Sequence, residues 1–286
     1  MREALVFGGS GQIGAPLLRK LHDAGWRVLA VSRTAQPEFG GVQWLRGDLD
    51  QVDGLPHRVD AIISCGPLDR FARWYAASAI DAPRVIAFGS TSIEVKQDSA
   101  DVHERDLAQR LREGERAVFD AAVTRGAAAT VLRPTLVYGA GRDRTLTRVA
   151  RIARRWGRFA LPRDARGLRQ PVHVDDLAAA AHACIDSVAS HGRAYDLPGA
   201  DTLPYREMVA RVLAALRPPV PLTLLPAPLF AAALSGARVL GRGDGIGDAV
   251  VARMRDDLVF DATPAQRDFG YAPRPFQPTA SMFSAD

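Results

Sequence analysis

The first half of the chain alternates short apolar runs with amphipathic stretches of helical period. Six apolar runs predict β-strands over Glu3–Phe7, Arg27–Val31, Val42–Leu45, Asp60–Ser64, Arg84–Phe88 and Ala128–Leu132. Between them, the strongest helical patterns cover Gln12–Ala24 and Val102–Arg125. Parallel strands need crossover connections, which helices supply. The alternation therefore predicts an α/β fold with a doubly wound parallel sheet, and it leaves the order of the strands open.

The pattern changes after Pro134. It predicts a helix at about 143–156 and, further along, the strands and helices Pro171–Val174, Asp175–Asp186, Arg193–Leu197 and Tyr205–Leu216. A proline-rich stretch and two more helical segments follow. We interpret residues 141–286 as a mixed segment that completes the sheet and forms a small, mostly helical C-terminal lobe for the substrate.

Composition excludes several classes of protein. The chain has 286 residues, of which 47% are hydrophobic and 24% charged, so a sizeable core is expected. No apolar run reaches the length of a membrane span, because Pro226, Pro228 and Arg238 interrupt the best candidate. Cys65 and Cys184 both lie in apolar patterns, which suits a reducing compartment. A cytoplasmic location is expected.

The formal net charge of +5 comes almost entirely from arginine, since the chain contains two lysines. The densest group is Arg148, Arg151, Arg154, Arg155 and Arg158, which largely follows helical spacing. Such a group either faces solvent or attracts an anionic partner. No nucleic-acid-binding motif accompanies it, so we expect no nucleic-acid partner.

A glycine-rich loop connects the first predicted strand to the first helix. Its residues are Gly8, Gly9, Ser10, Gly11, Gln12, Ile13 and Gly14. Glycines at 8, 11 and 14 allow a tight turn, a close approach of the backbone to a pyrophosphate, and close packing of helix on strand. The helix N-terminus adds free N–H groups for the phosphates. Residues 1–140 are therefore predicted to be a Rossmann-type dinucleotide-binding half.

The residues after the second strand bear on the choice of cofactor. NAD-binding proteins usually place Asp or Glu there to accept from the ribose 2′-hydroxyl. This chain has Ser32 and Arg33 instead, which favour the 2′-phosphate of NADP. NADP is the predicted cofactor and NAD the alternative. The alternative interpretation is that Arg33 is an ordinary surface arginine with no role in the choice of cofactor.

Six short motifs follow one another along the chain. They are the loop Gly8–Gly14, Gly47-Asp48-Leu49, Ser64-Cys65-Gly66, Ser90-Thr91-Ser92, the segment Leu132–Gly139 and the segment Gln170–Ala178. In this order they resemble the extended short-chain dehydrogenase/reductase family, in its NAD(P)-dependent epimerase/dehydratase branch. The resemblance extends from Met1 to about Pro198.

The resemblance implies further cofactor-binding residues. They are Asp48, Leu49, Cys65, Gly66, Ser90, Pro134 and Leu136. Asp48 would accept from the adenine amino group, with Leu49 beside it. Cys65 and Gly66 would line the path of the ribose and nicotinamide, and Pro134 would lie next to the nicotinamide ring.

The resemblance also implies residues of the substrate cleft. Thr91 occupies the position of the Ser or Thr that hydrogen-bonds the substrate oxygen, and His173 and Arg169 would face the cleft. Asp175 and Asp176 are interpreted as caps of the following helix rather than as catalytic groups.

The Tyr-x-x-x-Lys motif, which carries the proton chemistry of that family, is missing. Lysine occurs only at positions 20 and 96, so the motif requires tyrosine at 16 or 92. Those positions hold Pro16 and Ser92. The predicted helix after strand five offers no replacement: if Glu115 matches the glutamate that follows the family's lysine, Leu107 and Leu111 occupy the two catalytic positions.

Other residues are candidates for the missing functions. Lys96 is placed to hold the ribose or a substrate anion, and Arg142 to bind a substrate anion. Tyr138 and His173 are candidate proton donors, although both residue types more often have structural roles at such positions. No metal-ligand spacing is present, so no metal site is predicted.

Three functions stay open at this level. The first is an NADP-dependent oxidoreductase acting on a small organic substrate, with a non-standard proton donor. The second is a non-catalytic NADP-binding sensor or complex-stabilising subunit. The third is a lyase or isomerase on the same scaffold. The expected partner is a small-molecule substrate, with an anionic one favoured by the arginines, and the chain is expected to be a monomer or a homodimer.

Overall fold

A computed structural model of the chain describes residues 1–37, 40–143, 145–239 and 248–284. The strands are β1 (Glu3–Phe7), β2 (Arg27–Ser32), β3 (Val42–Arg46), β4 (Ala61–Ser64), β5 (Arg84–Phe88), β6 (Ala128–Pro134), β7 (Val137–Tyr138), β8 (Phe159–Pro162), β9 (Leu168–Arg169), β10 (Val172–His173), β11 (Arg193–Leu197), β12 (Leu203–Pro204) and β13 (Leu222–Leu225). The helices are α1 (Gly14–Asp23), α2 (Leu68–Ala77), α3 (Ser92–Val95), α4 (Val102–Thr124), α5 (Leu146–Trp156), α6 (Val174–Ile185), α7 (Tyr205–Ala215), α8 (Ala227–Val239), α9 (Asp248–Arg253) and α10 (Thr263–Phe269).

The chain divides into two compact units. The first, here called the sheet unit, comprises Met1–Thr135, His173–Pro198 and Asp261–Pro273. The second unit comprises Leu136–Val172, Gly199–Phe260 and Arg274–Asp286. Each unit therefore draws on several separate stretches of sequence.

The sheet unit is built on seven strands in the order β11-β6-β5-β4-β1-β2-β3. Every neighbouring pair is parallel. The chain moves outward from β1 to β3 on one side and from β4 to β6 on the other. The carboxyl ends of β1 and β4 therefore flank the point where the winding reverses, which is where such sheets form a ligand crevice. The predicted Rossmann-type α/β fold is confirmed.

Burial explains why the strand predictions succeeded. All residues of β4 and β5 are buried, as expected for parallel strands covered on both faces. One face carries α2 and α4, whose Phe71, Tyr75 and Val118 join the core of the sheet. The two helices cross closely at Gly114, where a Cβ would lie 3.2 Å from the backbone of Asp69. On the other face, α1 packs with α6.

The second unit has its own apolar core. Met208 and Val212 of α7 pack with Leu146 and Val149 of α5 and with Phe276. Two small sheets flank this core, β12 with β9 and β13 with β8. The arginine group lies on and just after α5, opposite its buried face, and most of its members are exposed.

Within the described parts of the chain, no helix is both long and apolar enough to cross a bilayer. The same residues contain no group of three or more His, Cys, Asp or Glu side chains arranged to hold a metal ion.

Candidate functional site

The glycine loop lies at the carboxyl end of β1 and turns back on itself. Gly8 has a φ of 72°, a left-handed conformation that favours glycine. The N–H of Gly11 donates to the carbonyl oxygen of Gly8 at 2.9 Å, which closes the turn. A Cβ at Gly8 would also approach within 3.1 Å of the Cys65 backbone, so the loop lies against the end of β4.

Gly14, the first residue of α1, is required by packing. A Cβ there would lie 2.1 Å from the oxygen of Gly8 and 2.7 Å from the Cα of Gly9. The helix therefore begins directly against the turn. At its N-terminus, Ile13 makes no side-chain cap and the first turn contains no acidic residue. No acidic side chain of the first turn therefore offsets the positive end of the helix dipole.

The loop also contains a buried polar atom that needs a donor. Oε1 of Gln12 is shielded from solvent and has no hydrogen-bond partner among the described residues. A buried acceptor without a partner is costly, and a bound ligand is one way to satisfy it. The tight glycine turn, the N-terminus of α1 without a side-chain cap and this acceptor together fit a bound dinucleotide.

The end of β2 contains no carboxylate. Ser32 is 6% exposed, and its Oγ lies 3.5 Å from Oγ of Ser10 in the glycine loop. Arg33 follows with an exposed side chain. Residues 32–37 include no Asp or Glu that would repel a phosphate.

The turn after β3 uses Asp48 in a way that the sequence did not predict. Its carboxylate accepts from the backbone N–H groups of Asp50 (2.8 Å) and Gln51 (3.2 Å), and Arg70 donates to it at 3.3 Å. These backbone hydrogen bonds are the main reason why the pKa of Asp48 is lowered. Its role toward adenine stays a prediction, and its observed role is to close the turn.

Leu49 and Gly66 are neighbours. A Cβ at Gly66 would lie 3.1 Å from Cδ1 of Leu49. Beside them, the N–H of Cys65 donates to the oxygen of Phe7 at 2.9 Å. Burial raises the pKa of the Cys65 thiol to about 12, so it stays protonated and is not a nucleophile.

At the end of β5, two hydroxyl groups face backbone partners. Oγ of Ser90 accepts from the N–H of Ser92 at 3.1 Å. Thr91 is 6% exposed, and its hydroxyl donates to the carbonyl oxygen of Pro134 at 3.3 Å. The oxygen of Thr91 is thereby held in a defined position at the carboxyl edge of the sheet. Lys96 forms an ion pair with Glu104, with an N···O distance of 3.5 Å.

The two positions that the sequence analysis assigned to the missing proton-transfer pair lie on helix α4. Glu115 is 8% exposed and forms a bidentate ion pair with Arg133 of β6, at 2.9 and 2.5 Å. Leu107 lies two helical turns before Glu115, and Leu111 lies one turn before it. Both leucines are half-buried. The side chains at these two positions have no proton to transfer.

The structure reveals an acidic residue that the sequence analysis missed. Asp196 of β11 lies opposite Arg133 in the sheet, yet its Oδ1 is 3.8 Å from the guanidinium and accepts no hydrogen bond from the described residues. Glu94 also contacts Arg133, at 3.2 Å. Burial, with repulsion from Glu94, raises the pKa of Asp196 to about 6. The signal in the sequence was a carboxylate between two residues, Tyr195 and Leu197, that are both buried in the strand.

An open cavity of about 350 Å³ adjoins this cluster. It is lined by Ile93, Glu94, Arg112, Glu115, Arg116, Phe119 and Arg133. The cavity lies beside α4, and the described residues of the glycine loop do not line it.

His173 begins α6. It is 5% exposed, and its Nδ1 accepts from the N–H of Asp175 at 3.2 Å, so the histidine caps the helix. Because Nδ1 accepts, the ring proton of the neutral form is on Nε2. The prediction that Asp175 and Asp176 cap this helix was wrong, because the chain turns into the helix one residue earlier.

The remaining predicted residues belong to the second unit. Tyr138 is 1% exposed and packs edge-on against Phe276, with ring centroids 4.8 Å apart. Arg169 is 6% exposed and donates to the carbonyl oxygens of Leu168 and Asp256, each at 2.7 Å. Both side chains are therefore buried in the second unit, and their roles toward a substrate stay predictions.

Leu136 is half-buried against the core of the second unit, and its carbonyl oxygen accepts from the N–H of Val172 at 2.9 Å. Arg142 is exposed in the loop before α5. Their roles toward cofactor and substrate stay predictions.

The chain is similar to known proteins in sequence and in fold. Residues 108–197 match the model of the NAD dependent epimerase/dehydratase family. The chain is 29% identical, over 317 aligned residues, to a 2-alkyl-3-oxoalkanoate reductase of Stenotrophomonas maltophilia, and the alignment covers 94% of each protein.

Solved structures share the fold at low identity. UDP-glucose 4-epimerase of Thermotoga maritima, determined with UDP-glucose, is 13% identical with a TM-score of 0.71, and the match covers 98% of this chain and 97% of the epimerase. UDP-glucuronic acid 4-epimerase of Bacillus cereus, in complex with NAD, is 12% identical with a TM-score of 0.70, over 99% and 97% of the two chains. The family predicted from the sequence motifs is therefore the one whose model matches residues 108–197, and the chain is similar to enzymes of that family.

Proposed function

We propose that this protein is an NADP(H)-dependent oxidoreductase that reduces a carbonyl group of a small organic acid. The observation that carries the proposal is the end of β2, where Ser32 and Arg33 replace a carboxylate beside a glycine loop that fits a dinucleotide. The substrate class follows from the relative named 2-alkyl-3-oxoalkanoate reductase, which aligns over nearly the whole chain.

The residues that would hold the cofactor lie along the carboxyl edge of the sheet unit. The N–H groups of the glycine loop and the positive end of the α1 dipole would bind the pyrophosphate. Ser32 and Arg33 would bind the 2′-phosphate. Leu49 would lie beside the adenine, and Cys65 with Gly66 would line the path of the ribose and nicotinamide. When bound, NADPH supplies the hydride.

The proton must come from a group other than the usual tyrosine. Thr91, held at the end of β5, is the residue proposed to orient the substrate oxygen. His173 is proposed to donate a hydrogen bond from Nε2 to the substrate oxygen, because helix capping through Nδ1 keeps the proton of the neutral ring on Nε2. The carbonyl carbon gains the hydride, and its oxygen takes up a proton from solvent.

The test is NADPH consumption, followed at 340 nm, with a panel of 3-oxo acids, simple ketones, enones and nucleotide sugars. We expect turnover with 3-oxo acids and none with nucleotide sugars. Tight NADPH binding without turnover of any substrate would refute the oxidoreductase.

A second function is favoured by the apolar pair Leu107 and Leu111. If the chain binds NADPH and turns over nothing, it is a non-catalytic NADP-binding sensor or subunit. A partner protein that is retained only in the presence of NADPH would then support this second function. Conversion of a substrate with no net NADPH consumption would instead identify a lyase or isomerase.

A further inference from the structure

The loop after β2 contains a glutamine that contacts two hydroxyl groups. Nε2 of Gln36 lies 2.9 Å from Oγ1 of Thr34 and 3.2 Å from Oγ of Ser32. It also lies 3.4 Å from the carbonyl oxygen of Thr34. A carbonyl oxygen can only accept, so the nitrogen end of the amide, and not its oxygen, faces this group of atoms.

This arrangement determines what Ser32 can do. Its Oγ accepts from the backbone N–H of Thr34 at 3.3 Å and from Nε2 of Gln36. A hydroxyl oxygen has two lone pairs, and both are then engaged. The hydroxyl proton is left to donate. Oγ of Ser10 lies 3.5 Å from Oγ of Ser32, which is the upper limit of a hydrogen bond.

We propose that Gln36 is a positioning residue for cofactor selectivity, because it turns the hydroxyl groups of Ser32 and Thr34 into donors toward a 2′-phosphate beside Arg33. The inference rests on the proposed NADP(H) function. Phosphate oxygens only accept, so donors from residues 32, 33 and 34 match them. The 2′-hydroxyl of NADH carries its own proton, so the same donors stabilise the binding of NADH less than that of NADPH.

The perturbation is Gln36→Leu, which removes the amide donor and keeps a side chain of similar size. Gln43→Leu, at an exposed position on β3, is the matched control. Fluorescence titration of the wild type and both variants gives dissociation constants for NADPH and NADH without any substrate. We expect Gln36→Leu to weaken NADPH binding about tenfold, as for loss of one oriented charge-assisted hydrogen bond, and to leave NADH binding and the melting temperature unchanged.

Two further variants separate positioning from a merely structural role. Gln36→Glu replaces the donor with an acceptor of negative charge, so it should weaken NADPH binding more than Gln36→Leu does. In a Ser32→Ala background, Gln36→Leu should have a much smaller effect, because one of the two hydroxyl groups that it orients is gone.

The outcomes also distinguish this inference from the proposed function. A wild type that binds both cofactors equally overturns both together. A wild-type preference for NADPH that Gln36→Leu leaves intact, or equal losses of NADPH and NADH affinity in that variant, overturns the role of Gln36 alone.

Discussion

Asp196→Asn is expected to stabilise the protein at neutral pH. The carboxyl group is 21% exposed and lies close to the buried Glu115–Arg133 pair. Arg133 donates to Glu115 and Glu94 and reaches Asp196 only at 3.8 Å. Ionised Asp196 therefore loses water without gaining a full partner, whereas asparagine has the same shape and no charge.

The magnitude follows from the pKa. Folding raises the pKa of Asp196 from an ordinary 3.8 to about 6. A shift of about two units at about 1.4 kcal/mol per unit corresponds to a penalty of about 3 kcal/mol on the ionised form. Below about pH 4 the group is protonated in the folded and unfolded states, so the penalty is absent. It grows between about pH 4 and 6 and is complete at neutral pH.

The assay is urea denaturation of the wild type and Asp196→Asn at several pH values between about 4 and 8. The variant's gain in unfolding free energy should be near zero at the acid end and about 3 kcal/mol at neutral pH. Asp81→Asn, at an exposed carboxylate, is the control and should show no comparable rise. A variant that is less stable than the wild type at neutral pH, or a gain that does not depend on pH, would refute the reasoning.

Three further substitutions test the site. Arg33→Ala should weaken NADPH binding about tenfold and leave NADH binding unchanged, with Arg19→Ala on α1 as the control; equal losses would contradict the 2′-phosphate assignment. Gly14→Ala should abolish nucleotide binding, because its Cβ would lie 2.1 Å from a backbone oxygen of the loop, whereas Gly236→Ala has open space and should be neutral. His173→Asn keeps a helix cap, so it should preserve the melting temperature. It should lower NADPH turnover at least tenfold, and unchanged turnover would exclude a role of the histidine in the reaction.

Local physical chemistry explains which elements the sequence predicted well. The bounds of β1 and β5 agree with the prediction, because buried parallel strands need short continuous apolar runs. The bounds of β11 agree as well. The glycine loop was also predictable, since Gly8 has a positive φ that other residues rarely adopt and Gly14 has no room for a Cβ.

The absence of a Tyr-x-x-x-Lys motif could also be read from the sequence, because it follows from the positions of the two lysines. These features depend on a residue type at a position, or on neighbours within a few residues. Sequence by itself therefore determined the fold class, the nucleotide loop, the cofactor expectation and the loss of the usual proton donor.

Tertiary structure alone decided which side chains share an environment. The register between β6 and β11 brings Asp196 beside Arg133, and no local pattern contains that register. Arg169 and Tyr138 look like site residues along the chain, but folding buries both in the second unit. Side-chain direction, burial and partners depend on residues far apart in sequence, so a motif can mark a position without revealing what its side chain touches.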